Sequence, residues 1–120
     1  TLFLQDGTPS IYGVVLPLDR RADMDMLAVS LKMPKRAAKG LRLSETLPYL
    51  HKPHSVAPFI CEKDLGLVSK IIFSFETLLD DPVDFSVPGR MDLSLHMAYF
   101  DAFQILEAKY PGVVEFGEVY

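Results

Sequence analysis

Five cationic residues within eleven positions are the most unusual chemical feature of the sequence. Lys32, Lys35, Arg36, Lys39 and Arg42 have no acidic residue among them. Their spacings of three, four and seven residues return to the same side of a helix, so a helical segment would carry a basic stripe. Such a stripe holds a nucleic-acid backbone, an anionic membrane surface or an acidic patch on a partner protein. The alternative is a face that meets only water, which is common for charge runs.

A second group combines the residue types that bind zinc. His51 and His54 precede Cys61 and Glu62, and thiolate and imidazole are the usual zinc ligands. A closed structural site needs four ligands, and these spacings match no such site unless Glu62 or Asp64 is recruited. Two surface histidines and a small buried thiol are the simpler interpretation, so we assign no metal ligand.

Cys61 is also the only candidate thiol nucleophile in the chain. A reactive thiolate needs a nearby base or cation, which His51, His54 or His96 would have to supply. The apolar residues before Cys61 are typical of an inert buried thiol. A small enzyme with a site near Cys61 or His96 therefore stands as the second alternative function, and we expect no cofactor.

The remaining acidic and polar groups do not form a catalytic set. The segment 80–84 is rich in aspartate, but Pro82 within it favours an acidic turn over a metal-binding helix. Asp92, Ser94 and His96 share the polar face of a predicted strand and match a catalytic triad in composition only. We therefore assign no catalytic residue.

Alternating apolar residues predict several strands that would position these groups. The alternation predicts strands over residues 67–75 and 91–99 and a further strand over residues 24–33. The turn residues at 6–9 predict a hairpin-like start between residues 2–4 and 10–18, and residues 113–120 are a last strand candidate.

Two segments have helical features. Phe100, Phe103, Leu106 and Tyr110 are about one turn apart, which predicts a helix over about 100–110. Pro34 suits the first position of a helix, so the basic residues predict a short helix over about 34–43. The clustered strands favour an α+β fold with a mostly antiparallel sheet of about five or six strands, covered by the C-terminal helix.

Length and composition set the class of protein. The 120 residues match the size of one domain, and 49% hydrophobic residues suffice for a core, so we predict a single domain over 1–120. No apolar run approaches the roughly 20 residues of a transmembrane helix. A single cysteine gives no internal disulfide, which predicts a soluble protein of the reducing, cytoplasmic interior.

The net charge of -4 is unevenly distributed along the chain. Residues 19–54 hold eight Lys/Arg and four Asp/Glu, whereas residues 55–120 hold four and eleven. Oppositely charged regions favour head-to-tail contacts between subunits, and the high apolar share favours exposed apolar surface. The sequence thus favours a non-enzymatic, protein-binding or self-assembling structural module, whose partner is another protein or a second copy. The first alternative is a peripheral binder of anionic membranes or nucleic acid through the basic segment at 32–42.

Overall fold

Seven strands and three helices form within the residues that the computed structural model describes, which are 2–5, 10–17, 19–43, 68–77, 82–87 and 90–120. The strands are β1 (Leu2–Gln5), β2 (Ile11–Val15), β3 (Arg42–Leu43), β4 (Val68–Ser74), β5 (Val83–Val87), β6 (Arg90–Met97) and β7 (Val114–Gly117), and the helices are α1 (Met24–Leu31), α2 (Lys35–Lys39) and α3 (Tyr99–Lys109). The elements make a small α+β domain, as the sequence predicts.

The main sheet is mixed, with the strand order β3-β1-β2-β4-β7. The predicted N-terminal hairpin is confirmed, since β1 pairs antiparallel with β2, and the two-residue β3 adds antiparallel to β1. However, β4 pairs parallel with both β2 and β7. The expectation of a mostly antiparallel sheet is therefore wrong at its centre. Long connections that contain helices join these strands, and such connections are what parallel pairing requires.

The interior strand β4, between β2 and β7, is buried on both faces of the sheet. Ile71 and Phe73 point to the first face, Ile72 points to the second, and none of the three exposes measurable surface. A continuous apolar run is typical of a strand between two parallel neighbours. The strand predicted over 67–75 is thus confirmed, and helices on both faces give the domain two hydrophobic clusters.

Helix α3 and the β5–β6 hairpin cover the first face. Tyr99, Ala102 and Leu106 of α3 are buried against Ile71 and Phe73 of β4. The predicted helix over 100–110 is confirmed with a start one residue earlier. The strand predicted over 91–99 is also present as β6, but it pairs with β5 in a separate two-stranded sheet and not in the main one.

Helix α1 covers the second face and corrects the strand predicted over residues 24–33. Leu27, Ala28 and Leu31 are buried at helical spacing, and Leu27 and Leu31 pack in one cluster with Val14 and Ile72. Glycine at position 117 permits this close packing, since a Cβ there would lie 2.6 Å from Ser30 Oγ. The segment is helical because a helix buries these residues on one face, although the two-residue alternation in the sequence predicts a strand.

The short basic helix is present as α2, but only over Lys35–Lys39. Pro34 precedes it in extended conformation and serves as its N-cap, and the chain leaves it at Gly40. Among the described residues, no helix has the length and apolar character needed to cross a membrane.

Candidate functional site

The basic segment, defined as Lys32, Lys35, Arg36, Lys39 and Arg42, spans three elements. Lys32 caps α1 in the left-handed region with φ of 56°, Lys35, Arg36 and Lys39 lie on α2, and Arg42 opens β3. All five residues are exposed. The predicted single helical stripe is therefore interrupted, and three of its five cations share one helix.

The charges of the basic segment are not neutralised by neighbouring acids. Within the described ranges, no carboxylate oxygen lies within 4 Å of any of the five cationic groups. Arg42 Nη1 makes local bonds, since it donates to the backbone oxygens of Lys39 at 3.0 Å and Leu41 at 2.9 Å. These bonds close the C-terminal end of α2, where a positive charge favours the exposed carbonyls. The segment therefore presents a positive surface to solvent.

The candidate zinc ligands and nucleophile His51, His54 and Cys61 lie outside the described residues. His96 is described, and its Nδ1 lies 2.6 Å from Asp84 Oδ1 across the β5–β6 hairpin. Both side chains are mostly exposed, which is the setting of a surface pair and not of a catalytic dyad held in a cleft. In the part of the chain that the structure describes, no three His, Cys, Asp or Glu side chains converge on a metal site.

Four hydroxyl groups meet at the carboxyl end of β4. Ser74 Oγ contacts Thr77 Oγ1 and lies 3.4 Å from the hydroxyl of Tyr99, and Thr77 Oγ1 lies 3.4 Å from that of Tyr120. Burial raises the pKa of Tyr99 to about 12, although hydrogen bonds from Ser74 and Thr77 oppose the rise. This cluster satisfies buried polar groups between the layers, which is a structural role.

An aromatic patch lies beside the last strand of the sheet; we define it as Phe75, Phe100, Phe103 and Phe116. The ring of Phe116 stacks on Phe103 with centroids 4.3 Å apart and lies 6.1 Å from Phe100 and 5.6 Å from Phe75. Phe75 remains 55% exposed and Phe100 47% exposed. Exposed aromatic side chains in contact with one another are typical of protein interaction surfaces.

Among the described strands of the main sheet, β7, which carries Phe116, lies at an edge. The Ile71 N–H donates to Val113 O at 2.8 Å and the Phe75 N–H donates to Gly117 O at 2.9 Å. The backbone N–H and C=O groups of the odd-numbered residues near β7 therefore point toward β4. The backbone N–H and C=O groups of Val114 and Phe116 consequently point away from β4, and no described strand pairs with them there. We call these backbone groups the open edge of β7. An unpaired edge of this kind is a template for a further strand.

The aromatic patch and the open edge were not identified from sequence. Phe100 and Phe103 share the spacing that predicts the helix, but this spacing does not indicate that Phe100 is half-exposed. Phe116 lies within the predicted last strand, yet its position at the sheet edge depends on the parallel pairing of β4 and β7. The one usable signal is that Phe100 directly follows Tyr99, because two successive helical residues rarely share one narrow buried stripe and Tyr99 is the buried one.

Comparison with known proteins adds no family to these observations. No protein-family model matches the chain, and no curated protein or solved structure is significantly similar to it.

Proposed function

We propose that the protein is a self-assembly module whose copies pair through the open edge of β7. The observation that carries this proposal is the edge of β7, with which no described strand pairs, directly beside an exposed aromatic patch. Strand addition supplies backbone hydrogen bonds, and burial of Phe75 and Phe100 supplies apolar contact area. The occupant that we propose for this edge is a second copy of the same chain.

Charge favours a second copy in one antiparallel register. When the peptide of Phe116 pairs with that of Phe116 in the second copy, Glu115 stands opposite Gly117 of that copy and not opposite another glutamate. Glu115 is in addition already neutralised by Lys70, whose Nζ lies 3.1 Å from its Oε1. The strand is thus able to pair with itself without close contact between like charges.

This pairing creates a two-fold axis perpendicular to the sheet. Such a contact is closed and symmetric, which is the commonest arrangement of protein dimers. Both first faces then lie on the same side, so the two aromatic patches come together around the paired Phe116 residues. Two five-stranded sheets become one continuous sheet, and the exposed rings of both copies gain an apolar neighbour.

Mass in solution tests the dimer. We expect light scattering at increasing protein concentration to give the dimer mass for the wild type, and the monomer mass for Phe116→Lys, which places two like charges on the two-fold axis. Ile105→Lys is the matched control: Ile105 is 52% exposed on α3, away from the patch, so this variant should remain a dimer. A wild-type monomer at high concentration would refute the proposal.

Cross-linking tests the register and does not depend on Phe116→Lys folding well. Residues that exchange backbone hydrogen bonds across an antiparallel pair have Cα atoms about 5.5 Å apart, which suits a disulfide. In a Cys61→Ser background, which removes the native thiol, Phe116→Cys should form a disulfide-linked dimer on mild oxidation. Ile105→Cys should not. Equal cross-linking of both variants, or of neither, would argue against pairing through β7.

A further inference from the structure

We propose that the basic segment binds the anionic surface of a lipid bilayer. This inference rests on a different surface from the one proposed for assembly, since it lies on the elements next to the second face of the sheet. Among the described residues, no carboxylate lies within 4 Å of these five exposed cations, so their charges remain available to attract anions. Each cation near an anionic membrane strengthens binding by roughly fivefold.

The shape of the surface favours lipid over nucleic acid. Helix α2 has five residues, which is too short to read a DNA groove, and the segment from Lys32 to Arg42 contains no aromatic side chain for base stacking. A membrane surface needs only cations spread over an exposed face, and the five positions on three elements supply this.

An exposed apolar side chain next to the cations also suits a membrane. Val29 of α1 is 76% exposed, and it lines a groove of about 380 Å³ together with Lys35. Apolar side chains beside cations enter the boundary between headgroups and acyl chains, while the cations contact the phosphates. In contrast, the groove also contains Asp25 and Glu118, which repel an anionic surface. Glu118→Gln should therefore strengthen the binding.

Vesicle sedimentation with purified protein tests the proposal. We expect retention on phosphatidylcholine vesicles with 30% phosphatidylserine, no retention on pure phosphatidylcholine, and release as the salt rises from 50 to 300 mM, where screening is stronger. The double variant Lys35→Glu, Arg36→Glu should lose at least tenfold in affinity. Retention that ignores lipid charge or salt would overturn the proposal.

Two comparisons separate this site from general electrostatics and from nucleic acid. Lys35→Glu should weaken vesicle binding more than Lys109→Glu, which makes the same change at an exposed lysine ending α3, the helix on the first face of the sheet. Equal effects would show that net charge decides and not the segment. Tighter binding to duplex DNA than to the anionic vesicles, at the same salt and through the same residues, would also overturn the lipid assignment.

Discussion

Tyr99 packs between two elements on the first face, the main sheet and the β5–β6 hairpin. Its ring lies 5.3 Å from that of Phe73 and stacks at 6.3 Å on that of Phe85, while its hydroxyl reaches the Ser74 end of β4. The ring therefore contacts both the main sheet and the small hairpin. Because the residue is buried, its hydroxyl resists ionisation, and this gives the fold a measurable dependence on alkaline pH.

We predict that Tyr99→Phe flattens the fall of stability at high pH. The raised pKa, about 12 in place of 10.0, means that the folded state holds the tyrosine proton after the unfolded state has released it. The stability that the protonated Tyr99 hydroxyl contributes is therefore fully present below pH 10. It is lost as the pH rises from 10 through 12, and the free energy of unfolding falls by up to about 1.4 kcal/mol per pH unit. Urea unfolding at pH 8, 10 and 11 measures the free energy of both proteins. If the free energy of unfolding fell equally with pH in the wild type and in Tyr99→Phe, the raised pKa of Tyr99 would be contradicted.

At the scale of elements, the side chain of Asp23 caps the start of α1 by accepting hydrogen bonds from the first backbone N–H groups of the helix. The Asp23 carboxylate accepts from the backbone N–H of Asp25 at 2.9 Å and of Met26 at 3.1 Å. The Asp23 N–H in turn donates to Val119 O at 2.6 Å, which connects the helix start to the chain after β7. Position and capping of α1 thus depend on the same residue.

We predict that Asp23→Ala lowers the free energy of unfolding by about 1 kcal/mol, because two N–H groups lose their acceptor. Asp23→Asn is the matched control, since its amide oxygen accepts the same bonds, and it should cost only a few tenths. Chemical denaturation of the three proteins measures the difference. If Asn and Ala cost the same, the hydrogen bonds do not stabilise the helix.

The elements differ in how well sequence predicts them, and burial explains the difference. Strand β4 was predictable because its buried residues include several β-branched side chains, which favour strands. Residues 24–33 were not, because Val29 is apolar yet exposed and completes a false alternation with Leu27 and Leu31. The two buried residues are four apart, which fits a helix equally well, and only the packing against β4 decides between the two patterns.

The candidate surfaces show the same division. Cations in a run are predictable at the surface because charged side chains are rarely buried, and all five residues of the basic segment are exposed. The aromatic patch was not predictable, because phenylalanine is normally assigned to the core. Its exposure follows from the edge position of β7, a pairing between strands about forty residues apart that local patterns do not encode.

At the scale of the whole molecule, the two proposals together imply a defined geometry for the dimer on a membrane. A two-fold axis perpendicular to the sheet places both second faces, with α1 of each copy, on the same side. The two basic segments, which lie on elements joined to α1, should then meet one flat membrane simultaneously. Binding through two linked sites exceeds binding through one, because the second contact is intramolecular.

We therefore predict that breaking the dimer weakens attachment to anionic vesicles by tenfold or more without a change of net charge. Phe116→Ser tests this, with Ile105→Ser as the control at an exposed apolar position away from the open edge. Vesicle titration measures both affinities, and light scattering measures both masses. A monomeric Phe116→Ser protein with wild-type affinity would show that the dimer contributes nothing to membrane binding.

The parallel pairing of β4 with β7 also has a consequence for biosynthesis. The chain emerges from the ribosome from its N-terminus, so β4 emerges about forty residues before β7, the strand that pairs with its second edge. Between the emergence of β4 and that of β7 from the ribosome, a nascent chain exposes a strand that is buried on both faces in the folded domain, and with it an edge that attracts other unfinished chains. A pause after β4 has left the ribosome and before β7 has emerged should accordingly increase aggregation and demand for chaperones, whereas the same delay after β7 has emerged should have little effect.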